Sequence, residues 1–150
     1  IKTISRIQQD DLPPWKDCRW DKYTLGMAES YVRKIKPRVT YISLTDSDDA
    51  AHTGVFSDYI EAIERFDVWL DGFIEYLETD DYYSQNTHVV ITTDHGRGLD
   101  EEWVDHNSDI PYAKFIWLAH RHLGTDQKAS LMGISEHTDL AQTMFSIMAH

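Results

Sequence analysis

Aspartate and histidine recur in three separate segments of this 150-residue chain, at spacings that suit metal coordination. Asp48 and His52 are four residues apart, Asp94 and His95 are adjacent, and His106 follows in a third acidic segment. Carboxylate and imidazole together suit Zn²⁺ or Mn²⁺ better than Ca²⁺, which prefers oxygen ligands alone. These residue types therefore predict a metal site, with solvated polar loops as the alternative interpretation.

The residues next to these candidates leave several assignments open. Asp46 and Asp49 flank Asp48, and either of them could replace it as a ligand. An EF-hand loop starting at Asp46 is excluded because its sixth position, which requires glycine, is Ala51. The glycine after His95, Gly96, allows a sharp backbone turn close to a ligand.

Arg97 follows this glycine and is a second kind of candidate. Its guanidinium could meet an anionic substrate, or it could pair with Asp100 or Glu101 a few residues later. Trp103 and Trp117 are interpreted as packing residues and not as a substrate platform.

Hydrophobic periodicity predicts the elements that must position these side chains. Apolar residues at helical spacing predict helices over 23–35, 56–77 and 138–148. Runs rich in β-branched and aromatic residues predict strands over 38–44, 87–93 and 113–119. A polar loop is expected over 45–54. The first two strands end directly before candidate ligands, at the strand ends where α/β sheets gather ligands.

The alternation of strands and helices favours parallel βαβ units and an α/β layered fold. Residues 1–20 show no clear period and contain Pro13-Pro14, which predicts an irregular N-terminal segment. Residues 21–150 are then one α/β unit.

Four other histidines are interpreted as structural or surface residues. His88 begins a buried strand and is expected to be hydrogen-bonded, whereas His137 is expected to belong to the capping region of the last helix. His120 and His122 could share one strand face, but two exposed loop histidines are the favoured interpretation.

Composition limits the class of partner. The formal net charge of −12 disfavours binding to nucleic acid or to an anionic membrane, because both repel an acidic chain. No apolar run approaches the length of a transmembrane helix. Cys18 is the only cysteine, so no internal disulfide can form and the redox compartment stays undecided. An extracytoplasmic location is slightly favoured.

The arrangement of these motifs resembles the alkaline phosphatase superfamily. The resemblance is carried by Asp48-x-x-x-His52-x-Gly54, by the long helix, by Asp94-His95-Gly96-Arg97-Gly98 after a strand, and by the segment from Asp105 to Pro111. That superfamily includes cofactor-independent phosphoglycerate mutases, type I phosphodiesterases and sulfatases. The resemblance covers about residues 37–150 and implies a three-layer α/β/α sandwich with a mostly parallel sheet.

The resemblance also implies a ligand set for two divalent ions, Zn²⁺ or Mn²⁺. Asp48, His52 and His106 would bind one ion, and Asp94 and His95 would bind the second. The implied function is hydrolysis or transfer of a phosphate ester, with a small-molecule phosphate ester as substrate. The alternatives are a sulfatase-like hydrolase acting on sulfate esters, and a degenerate domain that binds metal or a partner without catalysis.

The chain departs from the family pattern in its first 36 residues. The family's Ser or Thr nucleophile and a further aspartate ligand precede the region of resemblance, and nothing in residues 1–36 matches them. We therefore expect a C-terminal part of such an enzyme, inactive by itself and with an incomplete sheet. An unpaired sheet edge would make self-association plausible.

Overall fold

The computed structural model describes residues 2–15, 18–125 and 136–148. Its elements, in chain order, are helices α1 (Lys2–Ile7), α2 (Asp21–Ile35), α3 (Asp46–His52) and α4 (Phe56–Thr79), strand β1 (His88–Thr92), a short 3-10 helix η1 (Asp100–Val104), strand β2 (Leu118–His122) and helix α5 (His137–Met148). None of the described helices combines the length and apolarity needed to cross a membrane.

The three helices with clear apolar periodicity are confirmed, each within two residues of the predicted ends. The N-terminal segment differs from the prediction, because residues 2–7 form helix α1. Helix α1 has only 6 residues, which is too short for apolar residues to show a helical period, so the sequence did not reveal this helix.

The predicted polar loop at 45–54 is wrong, because most of it is helix α3. Two aspartates distant in sequence explain this helix. The Asp21 carboxylate accepts hydrogen bonds from the backbone N–H groups of Thr45 and Asp46, each at 3.0 Å. In turn, the Asp46 carboxylate accepts a hydrogen bond from the backbone N–H of Asp21 at 3.0 Å. Each side chain thus satisfies unpaired donors at the start of the other residue's helix.

The sheet differs from the predicted parallel arrangement. Among the described residues it has two strands, β1 and β2, which pair antiparallel with His88 opposite His122 and Thr92 opposite Leu118. The connection from 93 to 117 contains the short helix η1 and no α-helix, whereas a parallel crossover usually contains an α-helix. The α/β character agrees with the prediction, and the three-layer sandwich stays a prediction.

Two of the predicted strands are also corrected. The strand expected at 113–119 begins only at Leu118, because residues 110–115 form turns in which Ala113 N–H donates to Ile110 O and Phe115 N–H donates to Tyr112 O. Residues 38–44 belong to no strand. A β-rich segment becomes a strand only when it finds a ladder partner, and the described residues supply none to it.

The histidines of the sheet are strand residues. His120 and His122 lie in β2 and pair with β1, which corrects their interpretation as loop residues. The expected hydrogen bond of His88 is present, because its Nδ1 atom lies 2.9 Å from Nε2 of His120.

One buried hydrophobic cluster lies between two helices and one face of the sheet. Val32 of α2, Leu77 of α4, Tyr83 and Leu123 form a buried cluster, and Val89 of β1 packs against it. The Tyr83 hydroxyl donates to the Val32 carbonyl at 3.3 Å, so the buried phenol keeps a polar partner. This core holds the sheet against α2 and α4.

Candidate metal centre

Two segments of the chain bring one aspartate and two histidines together. Helix α3 carries Asp48 and His52, and His106 follows η1. The Nε2 atoms of His52 and His106 lie 3.1 Å apart. The Asp48 Oδ2 atom is 3.5 Å from His52 Nε2, and Oδ1 is 3.6 Å from His106 Nε2. One ligand atom from each residue therefore lies within 4.8 Å of the other two.

These separations fit coordination of one ion. Ligand atoms about 2.0–2.1 Å from a tetrahedral Zn²⁺ are about 3.3 Å from one another. The distances of 3.1, 3.5 and 3.6 Å lie on either side of that value, with Oδ2 of Asp48 facing His52 and Oδ1 facing His106. The donor set of one carboxylate and two imidazoles is a common one for this metal. The side chains present thus fit a divalent transition metal.

His95 extends this group toward a second position. Its ring stacks on the His106 ring, with centroids 3.7 Å apart and planes 15° apart. Its Nε2 atom lies 3.7 Å from Asp48 Oδ1 and 3.6 Å from Asp94 Oδ1. The Asp94 side chain is 89% exposed and lies at the rim of the group.

The tautomer of His95 explains why a cation suits this position. Its Nδ1 atom lies 2.9 Å from the Gly96 carbonyl oxygen, which can only accept, so Nδ1 carries a hydrogen. In a neutral imidazole Nε2 then has a lone pair, and that lone pair is close to two carboxylate oxygens. A metal ion placed among these three atoms would interact favourably with each of them.

The structure distinguishes Asp48 from its acidic neighbours. The Asp46 side chain is only 5% exposed and caps α2, and burial raises its pKa above the ordinary value. Asp49 Oδ2 is buried, with no hydrogen-bond partner among the described residues. Asp48 is the member of this acidic run that contacts the histidines.

Arg97 lies between Asp48 and helix η1 and contacts both. Its guanidinium pairs with the Asp48 carboxylate and also donates to the Asp48 carbonyl at 3.2 Å. Further hydrogen bonds reach the Val104 carbonyl at 3.2 Å and the Trp103 carbonyl at 3.4 Å. The side chain is 13% exposed, so these contacts fix the position of Asp48 relative to η1. The sequence allowed a partner in Asp100 or Glu101, and it carried no signal for this contact across 49 residues.

Gly96 is required by close approach of backbone rather than by a positive φ. Its N–H donates to the Ala113 carbonyl at 2.7 Å, and a Cβ at this position would overlap the carbonyl oxygens of Phe115 and Tyr112. The turn 110–115 therefore packs directly against the segment that carries His95.

An aromatic cluster borders the site. The Trp103 ring makes an edge contact with Phe56, with centroids 5.3 Å apart, and lies 5.7 Å from Tyr59. The Arg97 guanidinium is 5.9 Å from the Tyr59 ring. Trp103 packs against α4, in agreement with its interpretation as a packing residue.

Comparison with known proteins places the chain in a wider group. A family model described as the Metalloenzyme superfamily matches residues 18–139. Over 60 residues the chain is 38% identical to a 2,3-bisphosphoglycerate-independent phosphoglycerate mutase of Haloquadratum walsbyi. The aligned stretch is 40% of this chain and 11% of that protein, so the chain spans a small part of its length. No solved structure matches the chain.

Proposed function

The chain belongs to the Metalloenzyme superfamily, and we propose that it supplies metal ligands to a phosphate-ester hydrolase or phosphotransferase. This superfamily is alkaline-phosphatase-like, and membership in it supports metal-dependent phosphotransfer at the level of the family. The single observation that carries this proposal is the convergence of Asp48, His52 and His106 within 4.8 Å. The substrate class is a small phosphate ester, in keeping with the phosphoglycerate mutase to which part of the chain is similar.

In this proposal the ligands divide between two ions. Asp48, His52 and His106 hold the first ion, and His95 with the exposed Asp94 holds the second. The two groups meet at Asp48, because its Oδ1 atom is within 3.7 Å of His95 and 3.6 Å of His106. Zn²⁺ and Mn²⁺ are the proposed ions because the ligands mix carboxylate with imidazole.

Two bound divalent ions would supply positive charge to the attacking and leaving oxygens of a phosphoryl group. The chain's own residues orient the ligands for this task. Arg97 restrains the Asp48 carboxylate, and the Gly96 carbonyl sets the His95 tautomer so that Nε2 is the ligating atom. The exposed Asp94 leaves the site open to solvent on one side.

Metal content is the direct test. The purified chain, loaded with Zn²⁺ and dialysed, should retain metal that His52→Ala and His95→Ala each reduce, because each substitution removes one imidazole ligand. His137→Ala is the matched control, since it removes an exposed imidazole at the start of α5. Equal metal content in wild type, His52→Ala and His95→Ala would contradict the proposal.

Activity of the isolated chain is a separate prediction. We assign the nucleophile and one further carboxylate ligand to residues outside this chain, so turnover of p-nitrophenyl phosphate with added Zn²⁺ or Mn²⁺ should be negligible. Robust turnover that His52→Ala abolishes would show that the nucleophile lies within the 150 residues. Turnover of a sulfate ester in its place would favour the sulfatase-like alternative.

A further inference from the structure

Arg97 connects the three segments that carry candidate ligands. It follows His95 by two residues along the chain. Its guanidinium pairs with the Asp48 carboxylate and donates to the Asp48 carbonyl in α3 at 3.2 Å. It also donates to the Val104 carbonyl at 3.2 Å, two residues before His106. One side chain thus fixes the distances between the segments that must bring their ligands together.

The donors of Arg97 are directed at the protein. A guanidinium has five N–H donors. The two terminal nitrogens make four hydrogen bonds, to the carbonyls of Trp103, Val104 and Asp48 and to the Asp48 carboxylate. The side chain is 13% exposed. These contacts suit a residue that positions ligands better than one that binds an anionic substrate.

The two oxygens of the Asp48 carboxylate have different surroundings. Oδ1 accepts a hydrogen bond from the Arg97 guanidinium. Oδ2 accepts no hydrogen bond from the described residues and lies 3.5 Å from Nε2 of His52. An ion that bound both oxygens would compete with the guanidinium for Oδ1, where the hydrogen bond is assisted by charge. The contact therefore favours attachment of an ion through Oδ2 alone.

The mode of carboxylate binding affects which ion the site prefers. Zn²⁺ is commonly held by three protein ligands in a tetrahedral arrangement with one open position. Asp48, bound through one oxygen, supplies this set together with His52 and His106. Mn²⁺ prefers oxygen ligands in an octahedral arrangement, so withdrawal of one carboxylate oxygen weakens its binding more.

We propose that Arg97 is a positioning residue that makes the first ion site prefer Zn²⁺ over Mn²⁺. The inference rests on the proposed function, because it requires that Asp48, His52 and His106 bind an ion. Arg97 acts through Asp48 and contacts neither the ion nor the substrate.

The test measures the affinity of the full chain for Zn²⁺ and for Mn²⁺ by competition with a chromophoric chelator. Arg97→Gln should weaken Zn²⁺ binding about 10–100-fold, the usual effect of removing a hydrogen-bonded partner of a ligand. The freed Oδ1 gives Mn²⁺ a second oxygen, so the ratio of Zn²⁺ to Mn²⁺ affinity should fall at least about tenfold. Arg121→Gln is the matched control, because Arg121 pairs with Glu78 on the surface, and it should leave both affinities unchanged.

The outcomes separate this inference from the proposed function. Wild-type protein that binds neither ion would overturn both. Equal weakening of Zn²⁺ and Mn²⁺ binding in Arg97→Gln, or no weakening of either, would overturn the role of Arg97 and leave the metal centre in place. A purely structural role predicts equal weakening, so the ratio of the affinities distinguishes the two roles.

A measurement on the unaltered chain covers the case in which Arg97→Gln fails to fold. Co²⁺ can replace Zn²⁺, and it absorbs visible light far more strongly in a four-coordinate site than in a six-coordinate one. Wild type loaded with one equivalent of Co²⁺ should show the strong absorption, and His52→Ala should remove it. A weak spectrum of the six-coordinate type for wild type would overturn the proposal.

Discussion

We expect the wild-type protein to become less stable as pH rises because of Asp21, and replacement of Asp21 by asparagine should remove this pH dependence. Burial, together with the neighbouring charges of Asp46 and Asp49, raises the pKa of Asp21 from 3.8 to about 6. The two backbone N–H groups that donate to this carboxylate act in the opposite direction, but they do not offset burial. The folded protein therefore binds this proton more tightly than the unfolded chain.

The sign and size of the effect follow from this difference. The stabilisation from the neutral carboxyl is complete below about pH 3.8 and is lost as pH rises through about 6. At 1.36 kcal/mol per pKa unit, the full difference corresponds to about 3 kcal/mol. Asp21 is only partly buried, so solvent screening reduces this to roughly 1 kcal/mol.

The assay is urea denaturation of wild type and Asp21→Asn at several pH values between 4.0 and 7.5. Asparagine resembles the neutral carboxyl in shape, so its fixed effect on the helix cap cancels when pH values are compared. The free energy of unfolding of Asp21→Asn minus that of wild type should rise by roughly 1 kcal/mol across this range.

The exposed Asp71 on α4 provides the control, and Asp71→Asn should show a smaller change with pH. A difference for Asp21→Asn that stays flat, or that falls as pH rises, would refute the reasoning. It would mean that the N–H donors at the start of α3 stabilise the ionised form by at least as much as burial destabilises it.

Two further predictions concern the segments that hold the site and the core. Gly96→Ala should destabilise the protein by about 1–3 kcal/mol and weaken Zn²⁺ retention, because its Cβ would overlap the Phe115 carbonyl oxygen. Thermal unfolding and metal analysis of the same sample measure the two effects. Wild-type stability together with wild-type metal content would contradict the close packing. Leu123→Ala should lower the free energy of unfolding by about 2–5 kcal/mol, because Leu123 is 2% exposed. Val68→Ala, at a side chain that is 76% exposed, should stay within about 0.5 kcal/mol of wild type. Similar urea midpoints for the two variants would show that the core is misassigned.

Local pattern accounts for much of the helical structure. The apolar period of 3.6 residues located α2, α4 and α5, and the β-branched run before Asp94 located β1. Residue type and spacing also selected the candidate ligands, because imidazole and carboxylate chemistry is a property of the side chain itself. These features depend on neighbours a few residues apart, which a sequence displays directly.

Only the tertiary structure decided the features that join distant segments. The mutual capping by Asp21 and Asp46, which turns a polar stretch into α3, spans 25 residues. The contact between Arg97 and Asp48 spans 49 residues.

The antiparallel pairing of β1 with β2 likewise brings His88 beside His120. Side-chain chemistry is a local property that can be read along the chain, whereas the partner of a charge or a strand depends on the path of the backbone. The sequence thus determined which side chains could bind metal, and the fold decided which of them lie within coordinating distance.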